Sequence, residues 1–142
     1  MEVKLSANDI GYIAMFEKIT GAVIKDCIAD EDENKILFIV KKGDMGLAIG
    51  KKGKHIQRVR QSLGRRIGVI EYSEDPAEFI RNIFHPFRVN DVCITKLVDK
   101  KVAKVAIDDR DKMSLLGRRG ENLSKAKVLS RRHHNISDLI IV

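Results

Sequence analysis

Tryptophan is absent from this 142-residue chain, prolines and cysteines number two each, and aromatic residues make up only 5%. Two cysteines cannot build a disulfide framework, and no Cys/His cluster has the spacing of a zinc site. His133 and His134 are adjacent rather than four apart, so their rings do not share a helix face as metal ligands. They read as solvated side chains, and no metal or cofactor is expected. The apolar runs Ile36–Val40 and Leu139–Val142 fall far short of the roughly 20 residues that span a bilayer. Met1–Ser6 lacks the apolar stretch of a signal peptide, so a soluble, cytoplasmic protein without a membrane partner is expected. No nucleophile and base fall into a recognisable constellation, and no catalytic residue is assigned. Gly46–Lys52 has the look of a phosphate-binding P-loop but not its spacing. Three residues separate Gly46 from Gly50 where that loop needs four, and Lys52 stands where it needs Ser or Thr. An enzyme is not expected.

Acidic residues are scarce in two windows, and this scarcity is informative. Residues 41–66 hold nine Lys/Arg against one Asp, and residues 112–134 hold seven against one Glu. With a net charge of +7 overall, the remainder of the chain is therefore acidic. Charge gathered this way is the electrostatic footprint of a polyphosphate partner, most simply nucleic acid. No aromatic residue lies between Phe38 and Tyr72, which argues against an aromatic platform for stacked bases.

Each window contains the same device. Leu47-Ala48-Ile49-Gly50-Lys51-Lys52-Gly53 recurs 67 residues later as Ser114-Leu115-Leu116-Gly117-Arg118-Arg119-Gly120. At the same offset Asp44 matches Asp111, Ile56 matches Leu123, Arg58 matches Lys125 and Val59 matches Ala126. A repeat of this period implies two units, residues 1–73 and 74–142, each too small to bury a large core. With one residue of slippage Cys27-Ile28 matches Cys93-Ile94, which predicts two buried thiols on corresponding strands.

Apolar periodicity predicts a helix over 8–19 stopped by Gly21, strands over 22–29 and 35–41, and an acidic hairpin loop over 30–34. Asp44 reads as the N-cap of a short helix to Ile49, followed by a glycine turn, a helix to Leu63 and a strand over 67–72. After Ser73-Glu74-Asp75-Pro76 the order restarts: helix 76–84, strands 91–98 and 102–108, and a short helix 111–116. A second glycine turn, a helix to Arg132 and a strand over 136–142 complete it. Each unit is thus an α+β arrangement, a three-stranded sheet with helices on one face.

A glycine where one helix ends takes positive φ without penalty, and a glycine where the next begins lets a phosphate approach free N–H groups. Lys51 and Lys52, and likewise Arg118 and Arg119, then project as cations, with Arg offering a fork of donors. Ile49, Ile56 and the strand end near Val69 and Ile70 are candidates for an aliphatic groove under bases, as are Leu116, Leu123, Leu139 and Ile140. Lys54, Arg58 and Lys125 extend the candidate contacts, and Arg60, Arg65 and Arg66 are further members of the phosphate track.

Two helix-turn-helix hairpins carrying Gly50-Lys51-Lys52-Gly53 and Gly117-Arg118-Arg119-Gly120 resemble tandem K-homology domains. The order helix-strand-strand-helix-helix-strand is similar to their type II form. Across essentially the whole chain the pattern resembles the archaeal NusA-like transcription factors. That resemblance implies single-stranded RNA held between each glycine loop and the sheet, a role in transcription elongation or termination, and a link to the transcription machinery. A monomer is expected. It does not extend to the polymerase-binding and S1 domains of bacterial NusA, so polymerase contact is not implied. Glu121 stands where the first unit has Lys54, and Ser130 where it has Leu63, so the second unit is expected to grip RNA less strongly. A similar fold in ribosomal and ribosome-biogenesis proteins leaves recognition of structured RNA as the alternative.

Overall fold

The computed structural model describes residues 5–142, with the backbone alone for 116–121. It divides into two compact units between Ser73 and Glu74. No helix among the described residues is long and apolar enough to cross a membrane.

In the first unit, helix α1 spans Ala7–Thr20. Ser6 opens it with a reciprocal capping box: its Oγ accepts from Asp9 N–H, while Asp9 Oδ2 accepts from Ser6 N–H, both at 3.1 Å. Gly21, at φ 78°, closes it in the left-handed conformation. Strands β1 (Ile24–Asp30) and β2 (Lys35–Val40) form an antiparallel hairpin. Helices α2 (Met45–Ile49) and α3 (Lys54–Leu63) carry the chain to β3 (Arg66–Glu71), which pairs parallel with β2. The core lies between helices and sheet: Phe16, Cys27, Ile36, Phe38, Val40, Ala48 and Val59 are all essentially buried. The Phe16 and Phe38 rings meet at 4.5 Å between centroids.

The second unit repeats the topology with α4 (Pro76–Phe84), β4 (Val89–Lys96), β5 (Lys101–Ile107), α5 (Asp109–His134) and β6 (Ile136–Ile141). Asp75 caps α4 and Pro76 occupies its first turn. The 67-residue offset survives into the core, where Phe38, Ala48 and Val59 become Val105, Leu115 and Ala126. Valine for phenylalanine and alanine for valine remove volume, and leucine for alanine restores most of it. His133 and His134 are not simply solvated, because both rings lie against buried Phe79, at 5.5 and 5.3 Å between centroids.

The repeated aspartates tie helix to sheet. Asp44 makes no capping hydrogen bond; its Oδ2 accepts from Val23 N–H, 2.9 Å away, where the chain enters β1. Asp111 does the same for Arg88 N–H at 2.7 Å and adds an ion pair to the Arg88 guanidinium. Those hydrogen bonds from Arg88 hold the Asp111 carboxyl below its ordinary 3.8. A depressed carboxyl stabilises the folded state above its unfolded value, so this tie weakens as pH falls below about 4.

Two expectations fail here. The second glycine motif does not form a turn, since α5 runs unbroken from Asp109 to His134. Helix-favouring leucine, arginine and glutamate around Gly117 and Gly120 outweigh the roughly 1 kcal/mol that each helical glycine costs. Cys93 is exposed whereas Cys27 is buried. Each first strand carries a bulge, between Ile24 and Asp26 in β1 and between Val89 and Asp91 in β4. Aligning the bulges makes Val92 the partner of Cys27 and Cys93 that of Ile28. A one-residue slip moves a strand side chain to the opposite face. Titration of the native protein with a disulfide thiol reagent should therefore modify Cys93 promptly and Cys27 only after denaturation. Equal native reactivity of both would contradict the register.

Candidate nucleic-acid interface

Helix α2 ends at Gly50, whose N–H donates to Gly46 O at 2.9 Å. Gly50 has φ 75° and ψ 168°, a region that glycine alone populates freely. Space enforces the same choice. A Cβ on Gly50 would stand 2.5 Å from His55 Cγ and 2.8 Å from His55 N. The chain then turns through Lys51–Gly53, with Lys52 at φ 56° and Gly53 at φ 73°, and Gly53 N–H closes the turn on Gly50 O at 3.0 Å. Gly50, Lys52 and Gly53 thus sit at positive φ, outside the backbone conformations that ordinary side chains favour.

His55 holds this turn shut. Its Nδ1 lies 2.6 Å from Leu47 O, and because a carbonyl only accepts, Nδ1 carries the proton. Leu47 O is among the last carbonyls of α2, which have no partner within the helix. One imidazole therefore satisfies the end of α2 and fixes the start of α3. Sequence reasoning missed His55 because a residue five positions beyond a glycine, across a turn of unknown shape, has no recognisable spacing.

The arrangement suits an anion. No side chain caps α3: Gly53 and Lys54 N–H close on the carbonyls of Gly50 and Lys51, and the positive end of the helix dipole faces the turn with no acidic side chain in the first turn. Lys51, Lys52 and Lys54 are exposed around this end, with Arg58 one turn further on. Ile49 is 38% exposed, and Ile56 is half-buried against the core. The two flank the turn on either side, with exposed Leu47 extending the aliphatic surface.

Other expected members lie elsewhere. Val69 packs against the core, and Ile70, its neighbour in β3, points to the other face of the sheet, so the two do not share a groove. Arg65 and Arg66 are engaged at the opposite end of α3, in ion pairs with Glu31 at 3.2 Å and Glu33 at 3.0 Å. Arg65 also donates to the Tyr12 hydroxyl at 3.1 Å. Neither belongs to the cationic rim of the turn. In the second unit Leu123 packs against the core and Leu139 is buried, whereas Ile140 is 41% exposed. Lys125 is half-buried. Leu116, Gly117, Arg118, Arg119 and Gly120 have helical backbones, and their side chains lie outside the described residues.

Gly50 and Gly46 give a matched test of the turn. Gly50→Ala meets both a forbidden backbone and the His55 ring, and should cost about 1–3 kcal/mol from the backbone alone. Gly46→Ala has nothing within 4 Å of its new Cβ and lies in α2, so it should be neutral or stabilise by about 0.5–1 kcal/mol. Equal stability of the two variants in urea denaturation would refute the described turn.

Residues 11–108 match the KH domain family. The probable transcription termination protein NusA of Methanococcus vannielii is 37% identical over 142 residues, covering 100% of this chain and 81% of that protein. Its counterpart in Halococcus morrhuae is 33% identical over 139 residues, covering 98% of each. The crystal structure of APE1850 superposes with a TM-score of 0.82 at 28% identity, covering 97% of this chain and 100% of that one. The chain belongs to the KH domain proteins of the NusA family.

Proposed function

We propose that this chain is a single-stranded RNA-binding factor of transcription termination, built from two tandem type II KH domains, residues 1–73 and 74–142. The observation that carries the reading is the turn at Gly50–Gly53: an uncapped helix start beneath exposed lysines, with Ile49 and Ile56 alongside. A phosphate sits against the N–H groups of α3, Lys51 and Lys52 neutralise its neighbours, and bases rest on the aliphatic flanks. Lys54 and Arg58 continue the track. The element order and the mixed sheet in each unit support the type II assignment, with β2 parallel to β3 and β5 parallel to β6. The names of the relatives favour transcription over the ribosomal alternative.

The second domain contributes differently. A continuous helix uses the N–H groups of 117–120 in its own hydrogen-bond ladder, so that motif offers charge without a backbone cradle. Arg118, Arg119 and Lys125 then make a weaker, largely electrostatic contribution. The protein works as a cytoplasmic monomer that associates with the transcription machinery and needs no cofactor.

Replacing Lys51 and Lys52 together with Asp should weaken binding of single-stranded RNA at least tenfold. It should also flatten the plot of log affinity against log salt by about 1.4, or 0.7 per lost phosphate contact. Asp at Arg118 and Arg119 should have a smaller effect on both. An unchanged affinity in a folded Lys51/Lys52 variant would overturn the assignment.

A further inference from the structure

The hairpins of the two sheets occupy the same place in the fold and carry opposite charge. In the first unit the connection between β1 and β2 is Asp30-Glu31-Asp32-Glu33-Asn34, and two of its acids are neutralised by Arg65 and Arg66 just after α3. In the second the corresponding stretch is Lys96-Leu97-Val98-Asp99-Lys100-Lys101. The residues that follow the left-handed cap Asn135 there are Ile136 and Ser137, which offer no charge to the hairpin. None of Lys96, Lys100 and Lys101 makes an ion pair among the described residues. Leu97 is 45% exposed, and Val98, at the hairpin tip, is fully exposed. Between hairpin, Asn135 and Ser137 lies an open pocket of about 240 Å³.

We propose that this hairpin docks an acidic polypeptide segment that carries an apolar side chain. Its carboxylates pair with the three lysines, and its apolar side chain packs on Leu97 and Val98 at the mouth of the pocket. Charge complementarity selects an acidic partner, and the aliphatic tip gives its apolar side chain a seat. The hairpin joins two strands and has neither the glycine turn nor the helix start that would hold a phosphate between the lysines, and it has no aromatic ring on which a base could stack. The patch is also remote from the glycine motif of its own domain. Fifteen helical residues from Gly120 to Asn135 separate them along α5, roughly 22 Å at 1.5 Å per residue. It is therefore a surface separate from the glycine motif of its own unit, and it stands whether or not the RNA reading holds.

The test uses the intact, isotope-labelled chain and a synthetic peptide of Glu-Glu-Leu repeats, followed by amide chemical shifts. Shifts should concentrate at residues 96–101, Asn135 and Ser137, and should shrink as salt is raised. A Lys96→Glu/Lys100→Glu variant should bind the peptide at least tenfold more weakly. Leu97→Ser/Val98→Ser, which keeps every charge, should weaken it severalfold. Single-stranded oligouridylate at the same salt should leave residues 96–101 nearly unmoved. The proposal is overturned by absence of peptide shifts at the hairpin, by peptide shifts centred on Lys51–Lys54, by full binding in the Leu97/Val98 variant, or by oligouridylate shifting the hairpin as strongly as the peptide.

Discussion

The approach of Gly50 to His55 is the constraint on which the candidate site depends. Backbone φ and ψ at Gly50 admit only glycine, and the His55 ring fills the space a side chain would need. That contact lets His55 reach Leu47 O, which in turn sets where α2 stops and α3 starts. Exposed lysines and an uncapped helix end follow from the placement of those two helices. Take away the close approach and the same basic residues become an ordinary solvated surface, with charge but no cradle.

The second copy of the motif illustrates that difference. Gly117-Arg118-Arg119-Gly120 has the same glycine spacing and the same paired cations, yet it lies within one helix of 26 residues. Gly50 is held out of the helix by a tertiary contact with His55, and the residue at the matching offset in the second unit is Asn122. Asn122 donates to Leu115 O at 3.5 Å, a marginal contact, and not to the carbonyl of Ser114, which is the one that matches Leu47 O. A strong hydrogen bond at 2.6 Å in one unit and a marginal one in the other parallel a turn in one and a helix in the other.

Much of this was legible in the sequence because the repeat offset is preserved wherever helices and the central strand pack together. Ile36, Phe38 and Val40 map onto Ala103, Val105 and Ile107 without adjustment, and Asp44 maps onto Asp111. The first strands were misaligned by one residue because bulges and hairpin lengths leave no composition signal. In a strand a single step exchanges inside for outside, and Cys93 shows the result. The charge windows were legible as totals but not as pairings. Arg65 and Arg66 count equally with Lys51 and Lys52 in the sequence, and only the fold shows that acids of the β1–β2 hairpin already neutralise them.

The central claim, that one repeated motif takes two conformations, is tested most directly by hydrogen–deuterium exchange of the free protein. Amides at 117–120 should exchange slowly, as members of a helical ladder, while those at 51–53 exchange fast. Adding single-stranded RNA should then slow exchange at 51–56 and change 117–120 little. Fast exchange at 117–120 in the free protein, with equal protection of both motifs on RNA binding, would show two equivalent turns and contradict the account.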